Sequence, residues 1–427
     1  MMSQNPLLDI ATWKDRPGAR GIPSICSAHP LVIEASMLHA LKDGNYLLVE
    51  ATCNQVNQDG GYTGMTPADF RTFVEKIAAN TGFPLEKLIL GGDHLGPNPW
   101  KNLPASEAME KARVMIAAFA RAGFTKLHLD TSMGCAGEPV ALPDAITAER
   151  AANLAAVAEA AISGENGIKP VYIIGTEVPI PGGAMEEIDV LEVTSASAAL
   201  ETVNIHREAF KAAGVEDAFS RAIGAVVQPG VEFGNHNVIA YAPEAAKDLS
   251  AALSEMPGFV FEAHSTDYQT QKALSSLVHD GFAILKVGPG LTFALREAFY
   301  GLDRIAAFLF PEKRKESLIE VIERVLTADP KNWEKYYHGT SDEQRLQRHF
   351  SYSDRVRYYW PNPEISQAVD DMFALLNGVE IPETLISQYL QGSYERVRTG
   401  AVRPFAHDLS IAAVDAVLDI YFKACRS

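Results

Sequence analysis

The sequence predicts an α/β fold, a closed (β/α)8 TIM barrel carrying a C-terminal helical extension. Three observations carry that reading. Eight short apolar runs rich in Val, Ile and Leu alternate with longer Ala-rich segments whose apolar residues fall three and four apart. The runs are continuously apolar, as strands covered on both faces must be. The repeats fill about 290 residues, near the ~250 typical of such barrels before insertions.

The strand runs are 22–28, 46–53, 87–93, 126–132, 171–177, 222–228, 259–265 and 282–288. Helical segments follow near 31–43, 67–80, 105–121, 147–162, 195–213, 243–253, 270–279 and 291–309. Strict alternation demands parallel strands, because each helix returns the chain to the same edge. An open doubly wound sheet is the rival. It usually shows a G-x-G-x-x-G turn after its first strand, where this chain has Cys26-Ser27-Ala28-His29-Pro30. Thr66-Pro67 and Leu103-Pro104 put proline near a first helical turn, where its missing N–H costs little. Ser341 with Gln344 has the capping-box pattern, and Thr147 with Arg150 is a poorer cap. After about residue 310 the strands stop. Residues 311–427 read as helices at 315–328, 341–358, 364–377, 383–399 and 408–424. The expected division is therefore a barrel over 1–310 and an extension over 311–427, which could be a subdomain, a lid over the barrel mouth or an oligomer contact. No internal repeat or low-complexity linker separates the two.

The 427 residues are 47% hydrophobic and 21% charged, which is globular usage and excludes a disordered chain. Lys and Arg total 37 against 54 Asp and Glu, a net charge of −17. Such a surface repels phosphate backbones and anionic head groups, so neither nucleic acid nor membrane is the expected partner. One basic pocket for a small phosphate stays compatible with it. Four cysteines (Cys26, Cys53, Cys135, Cys425) are too few and too irregularly spaced for a disulfide framework or a zinc module. They are most simply small buried hydrophobes. The start, MMSQNPLLDIATWKDRPG, lacks the pattern of a signal peptide, and no stretch of 18 apolar residues occurs. The expectation is a soluble cytoplasmic protein with reduced thiols.

In this barrel class the working residues lie at the C-terminal ends of the strands. Those positions hold Ser27 and His29; Glu50, Asn54 and Gln55; Asp93 and His94; His128 and Asp130; Glu177; Gln228, Glu232 and His236; Glu262, His264, Ser265 and Asp267; and Lys286. Charged groups are rarely buried unless paired, metal-bound or catalytic, yet Glu262 sits in FVFEAH and His128 in KLHLD. A satisfied structural hydrogen bond explains any one of them equally well. The accumulation at all eight ends points to a chemical site.

Imidazole and carboxylate together suit a divalent metal, Zn²⁺ above all, with an open position for a substrate oxygen. His94 and His264 are the expected nitrogen ligands, with Glu177 or Glu232 supplying oxygen. Asp93 is the expected proton acceptor, and Asp130, Glu177 and Glu262 complete the acid–base candidates. Gly288-Pro289-Gly290 joins the last strand to a helix, where Gly288 and Gly290 let a phosphate approach the helix N-terminus. Taken alone, such a sequence is more often merely a turn. Phosphate in these barrels often sits after strands seven and eight, so Ser265, Thr266 and Thr292 join this set. Lys286 could form a Schiff base if desolvated, but a metal is the favoured electrophile, which leaves Lys286 to a phosphate or carboxylate. In Tyr352-Ser353-Asp354-Arg355-Val356-Arg357-Tyr358-Tyr359-Trp360, Arg355 or Arg357 could reach a phosphate; Arg355 is placed in the binding set. The alternative there is an amphipathic helix with its aromatics on the barrel and its arginines paired to acids.

The segments GIPSICSAHPLVIEAS, VEATCNQVNQDGGYTGMTP, GGDHLGPNPW, LHLDTSMGCAG, GTEVPIPGG, FEAHSTDYQ, LKVGPGLTFALREA and HFSYSDRVRYYWP closely resemble the GatZ/KbaZ family. These are the Z subunits of D-tagatose-1,6-bisphosphate aldolase, long labelled tagatose 6-phosphate kinase. The resemblance runs from about residue 21 to 410. It implies a class II aldolase-like barrel acting in galactitol, N-acetylgalactosamine or tagatose catabolism. It also implies a Z-type subunit that supports the activity and stability of a catalytic Y subunit, within a homo- or hetero-oligomer. Some relatives are instead ketohexose or ketohexose 6-phosphate 4-epimerases, which makes an autonomous metal-dependent D-tagatose 6-phosphate 4-epimerase or aldolase the alternative. A non-catalytic sugar-phosphate-binding barrel is a third reading. Class II aldolases carry an Asp-His pair in which Asp handles protons and His binds zinc, and Asp93-His94 looks like that pair. Their other zinc histidines sit in His-Gly contexts, whereas this chain has His264-Ser265 and His236-Asn237. No G-x-x-x-x-G-K-[ST] loop is present, so neither a nucleotide nor kinase chemistry is expected.

Overall fold

Eight parallel strands close into a ring. The computed structural model describes residues 5–16, 18, 20–162, 168–175, 191–313 and 316–426. In chain order the elements are β1 (Ile22–Ile25), α1 (Pro30–Asp43), β2 (Leu47–Thr52), α2 (Pro67–Thr81), β3 (Leu88–Leu95), α3 (Ala105–Arg121), β4 (Lys126–Leu129), α4 (Asp144–Ala161), β5 (Val171–Ile174), α5 (Ala196–Ala212), α6 (Glu216–Phe219), β6 (Ala222–Val227), β7 (Glu232–Phe233), β8 (Val238–Ile239), α7 (Lys247–Ala252), β9 (Val260–Ala263), α8 (Gln271–His279), β10 (Ile284–Val287) and α9 (Pro289–Leu309). Then come α10 (Leu318–Ala328), α11 (Ser341–Phe350), α12 (Pro363–Leu376), α13 (Glu383–Tyr389), α14 (Gln391–Arg398) and α15 (Ala406–Ala424). The ring runs β1-β10-β9-β6-β5-β4-β3-β2, and β7 and β8 form an antiparallel hairpin outside it.

Each of the eight predicted runs supplies one barrel strand. Most ladders stop short of the predicted end, because the terminal polar residues leave the sheet to line the mouth. The exception is β3, which continues to Leu95 with a register shift against β4 between Gly92 and Leu95. Such a shift re-aims side chains, and it falls at Asp93-His94.

The barrel interior is layered. At the bottom Ile22, Leu48, Ile89, Val171, Val260 and Ile284 form one cluster with Leu7, Ile10 and Trp13 of the N-terminal segment, which plugs that end. Two residues further along, the same strand faces turn charged. The buried Lys126 Nζ lies 2.5 Å from Glu50 Oε1 and 2.7 Å from Glu262 Oε2. Lys286 contacts Glu50 Oε2 and lies 2.7 Å from Asp93 Oδ1. Gly91 makes room for this layer: a Cβ there would sit 2.7 Å from Glu50 Cγ.

Helix boundaries differ from expectation in places. The capping box of α11 is Thr340 with Glu343, one residue before the expected pair, because Thr340 Oγ1 accepts from the Glu343 N–H. Thr147 is no cap, since α4 already begins at Asp144. Thr147 is buried, and its carbonyl accepts from Thr131 Oγ1 at 2.7 Å. The helix expected over 341–358 stops at Phe350. Asp354 takes a left-handed φ of +42°, and its carboxylate is held by Arg296 Nε at 2.7 Å and Thr292 Oγ1 at 2.6 Å. The segment 383–399 divides at Leu390, where Gly301 of α9 allows the close approach: a Cβ there would lie 2.6 Å from the Tyr389 carbonyl.

The last helix, α15, packs on α1, α8 and α9. Its Asp415 lies 2.7 Å from His39 Nδ1 and 2.6 Å from Arg396. Its Tyr421 hydroxyl donates to the Thr266 carbonyl at 2.7 Å. Among the described residues, no helix is long and apolar enough to cross a membrane.

Lys126→Ala leaves Glu50 without one of its two ammonium partners and strips Glu262 of its closest. It is expected to cost about 3–5 kcal/mol of stability in chemical denaturation. A loss below about 1 kcal/mol, within the range of an exposed pair, would contradict the layer's role. Burial also lowers His206 and His349 to about 4. Between about pH 6.5 and 4 the unfolded chain therefore binds protons at these sites and the folded chain does not. Stability should fall as pH falls through that window, seen as a lower denaturation midpoint at pH 5 than at pH 7.

Candidate active site

One tier above the charged layer, three imidazoles meet. Strand periodicity places them: Lys126, His128 and Asp130 share one face of the β4 run, and Glu262 and His264 share one face of the β9 run. The ring centroids of His94, His128 and His264 are 5.0, 4.9 and 5.2 Å apart. Three imidazoles around one tetrahedral ion need about 5 Å, given metal–nitrogen bonds of about 2 Å. Ligand atoms of Asp93, His94, His128 and His264 all lie within 4.8 Å of one another, and all four residues are buried.

Each ring is oriented by a carboxylate on one nitrogen. His94 Nδ1 is 2.8 Å from Asp130 Oδ2, His128 Nδ1 is 2.9 Å from Asp93 Oδ1, and His264 Nε2 is 2.9 Å from Glu262 Oε1. Carboxylates held against the outer nitrogen are the usual support of metal-binding histidines. Asp130 is itself fixed by the Ser132 hydroxyl at 2.9 Å. His128 Nε2 is buried with no hydrogen-bond partner, and burying such an atom is costly unless something binds it. His94 and Ser265 hold left-handed backbone angles, φ +50° and +52°. Strain of this kind gathers at functional sites.

Charge fits the same ligand. With neutral imidazoles, the carboxylates of Glu50, Asp93, Asp130 and Glu262 outnumber the ammonium groups of Lys126 and Lys286 by two, which one divalent cation would balance. Burial keeps His264 neutral, lowered to about 4. Burial would also lower His94, but Asp93 and Asp130 outweigh it and raise its pKa. Burial would raise Asp93, but His94, Lys286 and the bond from His128 hold it well below the usual carboxylate range.

Above the cluster opens a cleft. Asn54, Gln55 and Tyr62 of the β2–α2 loop, Phe233 of the hairpin, and Arg357 and Tyr358 of the extension line it with Asp93, His94 and His264.

Several sequence expectations change here. His128 joins His94 and His264, and sequence reasoning left it out of the ligand set, although the alternation in KLHLD marks it. Glu232 is not in the cluster: its Oε1 accepts from the Phe233 N–H at 3.0 Å, and its carboxylate also bonds the side chain of Ser265 beside the cleft. Burial raises it to about 7. Glu177 lies outside the described residues. Asp130 and Glu262 position His94 and His264, and neither lines the cleft. Lys286 lines it, but carboxylates surround its ammonium group. Burial alone would lower its pKa, but Asp93 and the other nearby anionic groups raise it well above the usual value, so it is no Schiff-base nucleophile.

Ser265 lines the cleft. Thr266 Oγ1 instead donates to the Lys286 carbonyl at 2.5 Å, away from the cleft. The Gly288 and Gly290 N–H groups both donate to Asp267 Oδ1, at 3.0 and 2.7 Å. The helix start expected to take a phosphate thus holds an internal carboxylate. Thr292 is bound to Asp354. Arg355 stacks 3.3 Å from the Tyr336 ring and donates to the Asn332 carbonyl, outside the cleft. Residues 355–358 form a 3-10 turn, which sends side chains two apart to different sides, so Arg357 faces the cleft instead.

Residues 7–426 match the family described as D-tagatose-1,6-bisphosphate aldolase subunit GatZ/KbaZ-like. The chain belongs to the GatZ/KbaZ-like family. It is 53% identical over 404 residues to the D-tagatose 6-phosphate 4-epimerase of Agrobacterium fabrum, covering 95% of this chain and 94% of that one. It is 50% identical over 405 residues to the D-tagatose-1,6-bisphosphate aldolase subunit GatZ of Salmonella enteritidis, covering 95% and 96%. A crystal structure of a "probable tagatose 6 phosphate kinase" from Sinorhizobium meliloti superposes with a TM-score of 0.89 at 67% identity, covering 95% of this chain and 100% of that one.

Removing one imidazole of this GatZ/KbaZ-like cluster tests it. His128→Ala is expected to lower the divalent metal retained after dialysis, measured by elemental analysis, as His94→Ala should. Full occupancy in His128→Ala would remove that residue from the ligand set.

Proposed function

We propose that this protein is a zinc-dependent ketose-phosphate 4-epimerase that interconverts D-tagatose 6-phosphate and D-fructose 6-phosphate in the cytoplasm. The observation that carries the reading is the three-imidazole cluster with Asp93, of which Asp93, His94 and His264 line the cleft. A barrel that only supported a partner would have no need to keep such a set. The donor set, three imidazoles beside a carboxylate, suits zinc better than an all-oxygen cation such as magnesium. The activity named for the Agrobacterium relative supports the same reading.

His94, His128 and His264 would hold the ion. Bound there, it would supply positive charge to stabilise the oxygen developing on C2 of the ketose. Asp93 takes the proton of the C4 hydroxyl. The C4–O bond becomes a carbonyl as the C3–C4 bond breaks and its electron pair passes to C3 and the C2 carbonyl. The three-carbon aldehyde turns its other face, the C3–C4 bond re-forms, and Asp93 returns the proton to the C4 oxygen. Asp130 and Glu262 keep His94 and His264 in place throughout. Tyr62, Tyr358 and Arg357 line the same cleft. Nothing in this scheme uses ATP, and the sequence carries no Walker-type phosphate loop.

A second reading, a Z-type aldolase subunit working with a catalytic Y partner, is favoured by the name of the Salmonella relative at nearly the same identity. NMR separates the two. The purified chain with Zn²⁺ is expected to convert D-tagatose 6-phosphate into D-fructose 6-phosphate, and Asp93→Asn should lower kcat by at least about 100-fold. Triose products formed from the bisphosphate would mean an aldolase. Silence until a Y-type subunit is added would replace the epimerase reading with the subunit reading.

A further inference from the structure

We infer that Arg357 is the phosphate anchor of the cleft and the residue that selects phosphorylated over free ketoses. The inference rests on the epimerase reading for the identity of the sugar, but the anion site stands on its own geometry. Arg357 lines the same cleft as His94 and His264. Among the described residues no carboxylate forms an ion pair with it. Two carboxylates that interact with it electrostatically are already engaged: Asp354 holds Arg296 and Thr292, and Asp267 accepts from Gly288 and Gly290. A partly buried guanidinium without a counter-charge is an unusual arrangement in a folded protein.

Its hydrogen bonds show which donors are free. Nη1 donates to the Ser353 and Asp354 carbonyls, and Nη2 donates to the Tyr358 hydroxyl at 2.9 Å. Of the five N–H donors a guanidinium carries, the Nε–H and the second Nη2–H have no protein acceptor among the described residues. Those two donors remain for a ligand, and a guanidinium can grip a phosphate with two such bonds. Two backbone carbonyls and a tyrosine thus fix the plane, and two donors are left for an anion. Burial would raise Tyr358, but Arg357 and Arg355 outweigh it and lower its pKa, as expected where local positive charge is uncompensated.

The chemistry gives such an anchor a purpose. When the C3–C4 bond opens, the three-carbon aldehyde carries the 6-phosphate. Holding that phosphate keeps the fragment in the cleft while it rotates about its remaining bonds.

The test pairs Arg357→Gln with Arg357→Lys, both checked for folding by thermal denaturation. In the zinc-loaded protein, Arg357→Gln should raise KM for D-tagatose 6-phosphate at least about 30-fold, the lower range for losing one partner of a buried charge pair. It should also lower the ratio of kcat/KM for D-tagatose 6-phosphate over D-tagatose, and Arg357→Lys should recover part of both. Calorimetry with inorganic phosphate and with D-fructose 6-phosphate reads the site without turnover, and both should bind more weakly to Arg357→Gln. If the chain proves not to epimerise, this binding loss alone still supports the anchor. Unchanged phosphate binding in Arg357→Gln, or an unchanged KM and ratio in an active enzyme, would overturn it.

Discussion

Everything at the mouth of this barrel depends on a buried layer of alternating charge beneath it. Lys126 bridges Glu50 and Glu262, and Lys286 ties Glu50 to Asp93. Charges so far from water are tolerated only when paired. Each pairing also removes a degree of freedom from a side chain that reaches upward: Glu262 is held by Lys126 and so can hold His264, and Asp93 is held by Lys286 and so can hold His128. The layer works as a rigid platform, and the imidazoles inherit its order.

The platform is incomplete in charge, and that incompleteness is useful. The layer carries one more carboxylate than ammonium group, and Asp130 beside His94 adds another, a balance that would suit a dication. Burial keeps His264 uncharged, so its nitrogen is available to ligate. The register shift in β3 and the left-handed angle at His94 aim that ring at the other two.

The roof comes from another part of the chain. Helix α11 ends at Phe350, and Asp354, locked to Arg296 of α9, starts the short turn that delivers Arg357 and Tyr358 to the cleft. Meanwhile Asp267 fills the start of α9, so the cationic counterweight in the cleft comes from the extension rather than from the helix dipole.

Alternation of apolar runs with amphipathic segments was enough to determine the barrel, because burial on both strand faces leaves a mark that no distant contact can erase. Asp93-His94 and His264 were legible for a similar reason: polar residues at strand ends have nowhere to go but the mouth. The alternation of Lys126, His128 and Asp130 also wrote His128 into the sequence, though one histidine in one strand does not announce its partners. Other features depended on backbone geometry beyond any local pattern. Glu232 turns to the Phe233 N–H and Ser265, a 3-10 turn exchanges Arg355 for Arg357, and Asp267 closes on the glycine turn. Periodicity reports which face a side chain takes, but only the assembled chain sets the distances between residues from different strands, and distance decides which groups pair and which stay open to a ligand.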